Sequence, residues 1–100
     1  MIVERRTFHV KQGCQEAAVK MCKEAIEGNT VFTHSYRIYT PDIGLFDVVV
    51  IELEYEDLQE MRASWDAWLA GPGTPEFLEK WYELAERGGH NEIWELAAQR

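Results

Sequence analysis

Residues 45–55, LFDVVVIELEY, decide the fold. Val48, Val49, Val50 and Ile51 are apolar on both sides of an extended chain, and the acidic-aromatic end LEY follows them. A strand with two apolar faces sits in the middle of a sheet, because an edge or half-exposed strand would alternate with polar residues. Just upstream, TVFTHSYRIYT (30–40) is rich in β-branched and aromatic residues and reads as a second strand. The intervening PDIG (41–44) has a proline and a glycine at its ends and reads as a turn. The two runs therefore form an antiparallel hairpin.

Outward from the hairpin, the other elements follow from periodicity. IVERRTFHV (2–10) alternates, with Ile2, Glu4, Arg6, Phe8 and Val10 on one face and Val3, Arg5, Thr7 and His9 on the other. GCQEAAVKMCKEAIE (13–27) places Cys14, Ala18, Met21, Cys22 and Ile26 on one helical stripe, and Gly28-Asn29 ends it. DLQEMRASWDAWL (57–69) has Leu58, Met61, Trp65 and Trp68 at helical spacing behind an Asp57 N-cap, with Glu60 three residues on. AGPGTP breaks that helix. A further helix begins with Thr74 as cap and Pro75 at its first position, and its apolar stripe includes Phe77, Trp81 and Leu84. HNEIWELAA (90–98) reads as a final strand.

The order β-α-β-β-α(α)-β predicts an α+β, ferredoxin-like fold: an antiparallel sheet with helices on one face, built as one domain over residues 1–100. The opposite face is expected to carry Phe8, Val10, Phe46, Val48 and Val50, too much apolar surface to leave in water. A second copy covers it most simply, so the expectation is a homodimer joined through the sheet face, as a dimeric α+β barrel.

Bulk composition narrows the function classes. The chain has 100 residues, 46% of them hydrophobic, and a net charge of −8. That charge disfavours nucleic acid and anionic membrane surfaces, both of which attract a positive field. No apolar run approaches the roughly 20 residues of a membrane span, and Met1 leads directly into the first strand, which predicts no signal peptide. Cys14 and Cys22 stand about 12 Å apart along a helix, beyond the reach of a disulfide. Free thiols suit a reducing cytoplasm.

The first strand also carries a family resemblance. Glu4-Arg5-Arg6-Thr7-Phe8-His9-Val10-Lys11-Gln12-Gly13 resembles the opening motif of NIPSNAP-like proteins: Glu, any residue, Arg, Thr, an aromatic, then Lys and Gly before a helix. Gln12 stands where that family often has Pro. LEYEDLQEMR (53–62), a Trp-containing helix and a second helix near PEF (75–77) extend the similarity over most of the chain. The resemblance implies a ferredoxin-like subunit of the dimeric α+β barrel group. It implies no particular reaction, because a fold does not carry function with it. A haem-degrading branch of that group uses an Asn on the first strand and a His on the helix after the third. Residues 2–10 contain no Asn and residues 56–88 no His, so haem is disfavoured and no cofactor is expected.

The candidate ligand-binding residues are Arg6, Glu4, His9, His34, Tyr36, Glu52 and Trp65. Arg6 is expected to pair with Glu52 or Glu54 across the sheet, or to anchor an acidic head group in an apolar cavity. His9, His34, Tyr36 or Trp65 would supply any proton transfer. His9, His34 and His90 fall on three different predicted strands without a ligand spacing, so no metal site is expected. No phosphate loop, nucleophile motif or CxxC is present. The sequence thus points to a small homodimer that binds a small apolar or aromatic ligand in the barrel cavity. The alternative is a cofactor-independent monooxygenase acting on an aromatic or polyketide-like substrate.

Overall fold

A computed structural model describes residues 1–100. The elements are β1 (Ile2–His9), α1 (Gln15–Glu27), β2 (Tyr36–Tyr39), β3 (Val48–Tyr55), α2 (Leu58–Leu69), α3 (Thr74–Leu84) and β4 (His90–Glu95). The four strands form one antiparallel sheet in the order β2-β3-β1-β4, the ferredoxin-like arrangement. As its apolar run predicts, β3 is central.

Alternation on β3 divides the sheet. Val49, Ile51, Leu53 and Tyr55 point at the helices and are buried, each side chain contributing about 1.5–3 kcal/mol of transfer free energy. Ala18, Cys22 and Ile26 of α1, at four-residue spacing, and Trp81 of α3 close over them. The register pairs Glu4 with Leu53, Arg6 with Ile51 and Phe8 with Val49, which puts these three β1 residues on the same helix-covered face. Arg5, Thr7 and His9 share the other face with Val48, Val50 and Glu52.

The register corrects the expected contents of the open face. Val48 and Val50 do belong there, but Phe8 and Val10 lie in the core beneath α3. Phe46 lies in the β2–β3 connection, 92% exposed. Because strand side chains have period two, assigning β1 to the wrong side exchanges all its residues at once.

The second predicted strand is also shorter, with only residues 36–39 pairing with β3. Residues 29–35 leave the sheet because Asn29 holds a turn there: its side-chain oxygen accepts from the Val31 N–H at 2.8 Å. Phe32 then packs edge-on against Trp65 of α2, 5.0 Å between centroids. Asp57 caps α2 as predicted, accepting the Glu60 N–H at 2.8 Å. Thr74 does not cap α3. Gly73 holds the cap position, and the Thr74 hydroxyl donates instead to the carbonyl of Trp68 at the end of α2.

One glycine is obligatory. Gly89 has φ +83°, and a Cβ there would lie 2.2 Å from the carbonyl oxygen of Thr7. The α3–β4 connection thus runs against β1 at van der Waals contact. This close approach sets the register that places Asn91 next to Arg6.

Candidate functional site

Glu4 is fully buried, and its carboxylate has a donor for each of its four lone pairs. Oε1 accepts from the Tyr55 hydroxyl at 2.8 Å and the Trp65 indole N–H at 2.7 Å. Oε2 accepts from the Asn91 amide at 2.8 Å and Arg6 Nε at 3.0 Å. Burial on its own raises the Glu4 pKa, but the Trp65 hydrogen bond, the Arg6 charge, and the Tyr55 and Asn91 hydrogen bonds together hold it below the ordinary 4.5. Tyr55 shifts the opposite way: burial first, then the adjacent carboxylate, raise its pKa. Glu4 is therefore an ionised, saturated group that fixes its neighbours and has no free lone pair with which to take a proton.

What it fixes is Arg6. The guanidinium lies over the Trp65 ring, 3.9 Å from the centroid, so cation–π attraction adds to the ion pair with Glu4. Only Nε is used by another side chain, and the terminal nitrogens remain accessible. Arg6 lines a cavity of about 120 Å³ between sheet and helices and is the sole lining residue that is not hydrophobic.

Six aromatic rings wall that cavity and touch in sequence. Phe32 meets Trp65, Trp65 meets Trp68 (5.6 Å), Trp68 meets Phe77 (5.3 Å), Phe77 stacks on Trp81 (6.1 Å), and Trp81 meets Phe8 (5.0 Å). Offset and edge-to-face contacts of this kind are favourable beyond the area they bury. The chain of rings gives the cavity flat apolar walls with one cation at its edge. At the back, the Cys22 thiol is pushed up to about 12 by burial, so it stays protonated and inert.

The seven candidate residues separate into two groups. Arg6 and Trp65 line the cavity, and Glu4 lies directly behind them. His9 and Glu52 lie on the open face of the sheet, where Arg5, not Arg6, pairs with Glu52 at 3.2 Å. The expected pairing of Arg6 with Glu52 or Glu54 is therefore replaced by pairing with Glu4 two residues away on its own strand. Arg37 is the residue near Glu54, at 4.0 Å. His34 stands in the α1–β2 segment, 2.7 Å from Glu60, and not on a strand. The Tyr36 hydroxyl donates to Glu27; that hydrogen bond, then burial and the Glu27 charge, push it up to about 12, which leaves it unsuited to proton transfer. The three histidines do not converge.

Tyr55 and Asn91 were missed. Tyr55 belongs to the quoted strand end LEY, and a buried carboxylate on the neighbouring strand is the signal that would have called for its hydroxyl. Asn91 is reachable only through the β1–β4 register, which no local pattern reveals.

The open face carries a shallow groove of about 420 Å³, lined among others by Arg5, Thr7, Val50, His90 and Trp94. Two of its lining residues, Arg5 and Tyr39, are tied to Glu52: Arg5 pairs with it at 3.2 Å and the Tyr39 hydroxyl donates to it at 3.0 Å. No helix of the chain is long and apolar enough to cross a membrane.

A protein of Agrobacterium tumefaciens superposes with a TM-score of 0.84 at 24% identity, covering 97% of this chain and 94% of that one. An uncharacterised NIPSNAP domain protein from Burkholderia xenovorans gives 0.77 at 25% identity, with 98% and 96% covered. An antibiotic biosynthesis monooxygenase shares the fold, with a TM-score of 0.70 at 13% identity and 98% and 100% covered. No curated protein matches the chain in sequence. The sequence itself matches the NIPSNAP family over residues 3–97, from the first residues of β1 to just past β4. The chain belongs to the NIPSNAP family.

Proposed function

We propose that the protein is a homodimer, each subunit a single domain, that binds a small apolar or aromatic ligand in the cavity between sheet and helices, with Arg6 as its polar anchor. The supporting observation is that cavity: six contacting aromatic rings and one cation whose terminal nitrogens have no partner in the chain. A ligand with a carboxylate or other electron-rich oxygen would satisfy them by charge-assisted hydrogen bonds. Apolar cavities of about 150 Å³ accept a benzene-sized guest, so about 120 Å³ suits a single ring.

The dimer is supported by the open face. Leu45, Trp94 and Tyr39 line its groove beside Val50 and are 69%, 56% and 43% exposed. A second sheet laid on that face would bury them together with the groove. A monomer in sedimentation velocity at micromolar concentration would reject this part. Both cysteines are free, which supports the cytoplasm as the location.

The alternative is a cofactor-independent monooxygenase for an aromatic or polyketide-like substrate, supported by the shared fold with a monooxygenase. The saturated Glu4 carboxylate and the single-ring size of the cavity favour binding over that chemistry. Absence of oxygen uptake with anthrone- and quinol-type compounds would dismiss it.

Benzoate is the direct probe of the main reading. Wild-type protein is expected to gain thermal stability with added benzoate, and Arg6→Ala to lose that gain while keeping its fold by circular dichroism. A shift of equal size in Arg6→Ala would reject Arg6 as the anchor.

A further inference from the structure

Away from the cavity, three side chains from separate positions meet at the entrance to α2. His34 comes from the α1–β2 segment, Glu56 from the link between β3 and α2, and Glu60 from the first turn of α2. One ligand atom from each lies within 4.8 Å of the other two, and His34 Nε2 is 2.7 Å from Glu60 Oε1.

Two features distinguish this group from a solvated acidic patch. The Glu56 and Glu60 carboxylates come within 4.8 Å of one another, where like charges repel, in a chain that already has a net charge of −8. A half-buried imidazole from a different segment is held against them, which supplies nitrogen beside two carboxylates. Ligands about 2.0–2.2 Å from a tetrahedral zinc ion stand roughly 3.3 Å from one another. His34 Nε2 and Glu60 Oε1 are already closer than that, and Glu56 stands within 4.8 Å of both. Glu56 is exposed and Glu60 half-buried, so both carboxylates are free to turn toward an entering ion. A mixed nitrogen–oxygen set also selects against calcium and magnesium, which take oxygen ligands.

We propose that His34, Glu56 and Glu60 bind one divalent cation of the zinc class, with solvent completing the tetrahedron. The site has a structural consequence for the cavity. His34 is two residues from Phe32, the ring that packs on Trp65 and closes one end of the aromatic wall. An ion bridging His34 to α2 ties that segment down and holds Phe32 in place. The site does not depend on what the cavity binds.

Calorimetric titration with zinc chloride tests it. Wild-type protein is expected to take up one ion per chain. His34→Ala, Glu60→Gln and Glu56→Gln are each expected to weaken binding about tenfold or more, since each removes a direct ligand. His90→Ala and Cys14→Ser remove other zinc-seeking groups and should leave the titration unchanged. Circular dichroism before zinc addition checks each fold, and Glu56, being exposed, provides a variant that folds even if His34→Ala does not. No uptake by the wild type at a tenfold excess of zinc overturns the proposal. Wild-type affinity in either Glu56→Gln or His34→Ala also overturns it, because the ion would then lie elsewhere.

Discussion

The two faces of the sheet each hold an arginine–glutamate pair whose arginine comes from β1, and the pairs do different jobs. On the helix face, Glu4 and Arg6 sit beneath α2, with the carboxylate buried and met by four donors. On the open face, Arg5 and Glu52 form a pair whose arginine side chain is 43% exposed. Adjacent residues of β1 therefore divide into a buried network that shapes a cavity and a surface contact that steadies register. The surroundings decide the energetics: low dielectric magnifies both the attraction and the cost of losing a partner.

The largest break in that contrast is expected from Glu4→Gln. The amide leaves Arg6 without its counter-charge and presents donors to donors, at a cost of about 3–5 kcal/mol in urea unfolding at pH 7. A loss below about 1 kcal/mol, the range of surface pairs, would mean the network is not desolvated. The pH dependence has a definite sign. The Glu4 pKa is lowered by folding, so its contribution is complete above the ordinary 4.5 and is lost as pH falls below that through the folded value. Wild-type stability should therefore drop in acid more steeply than that of Glu4→Gln.

Gly89→Ala comes next. The positive φ costs about 1–3 kcal/mol, and the contact with the Thr7 carbonyl forces β4 away from β1. Loss of Asn91 from the Glu4 network should accompany it, seen as faster amide exchange along β4. Unchanged exchange would indicate that the α3–β4 connection adapts without moving the strand.

Trp65→Phe keeps a ring under Arg6 but removes the indole N–H from Glu4, for about 1–3 kcal/mol in the same unfolding assay. A neutral result would show that the remaining donors suffice. Glu52→Gln is expected to be the mildest, at most about 1 kcal/mol. A cost as large as that of Glu4→Gln would erase the difference between the faces.

The fold was largely legible in the sequence because its two strongest signals are local: the doubly apolar run 48–51 and the helical stripes of α1, α2 and α3. Asp57 could be recognised as a cap from its own neighbours. The site was only half legible. Alternation separates Glu4 and Arg6 from Arg5 correctly, but which set meets the helices depends on the β1–β3 register, a non-local quantity. The same reason hides Asn91. Residues 30–35 have strand composition, yet a turn at Asn29 and the packing of Phe32 on Trp65 outweigh that propensity.

The central claim is that the helix-side cavity, and not the open groove, receives the ligand. Trp65 and Trp68 line the first and Trp94 the second, so their indole N–H resonances report separately. In a benzoate titration followed by nitrogen–proton correlation spectra, the Trp65 and Trp68 signals are predicted to move while Trp94 stays fixed. Movement of Trp94 with Trp65 and Trp68 unchanged would contradict the account.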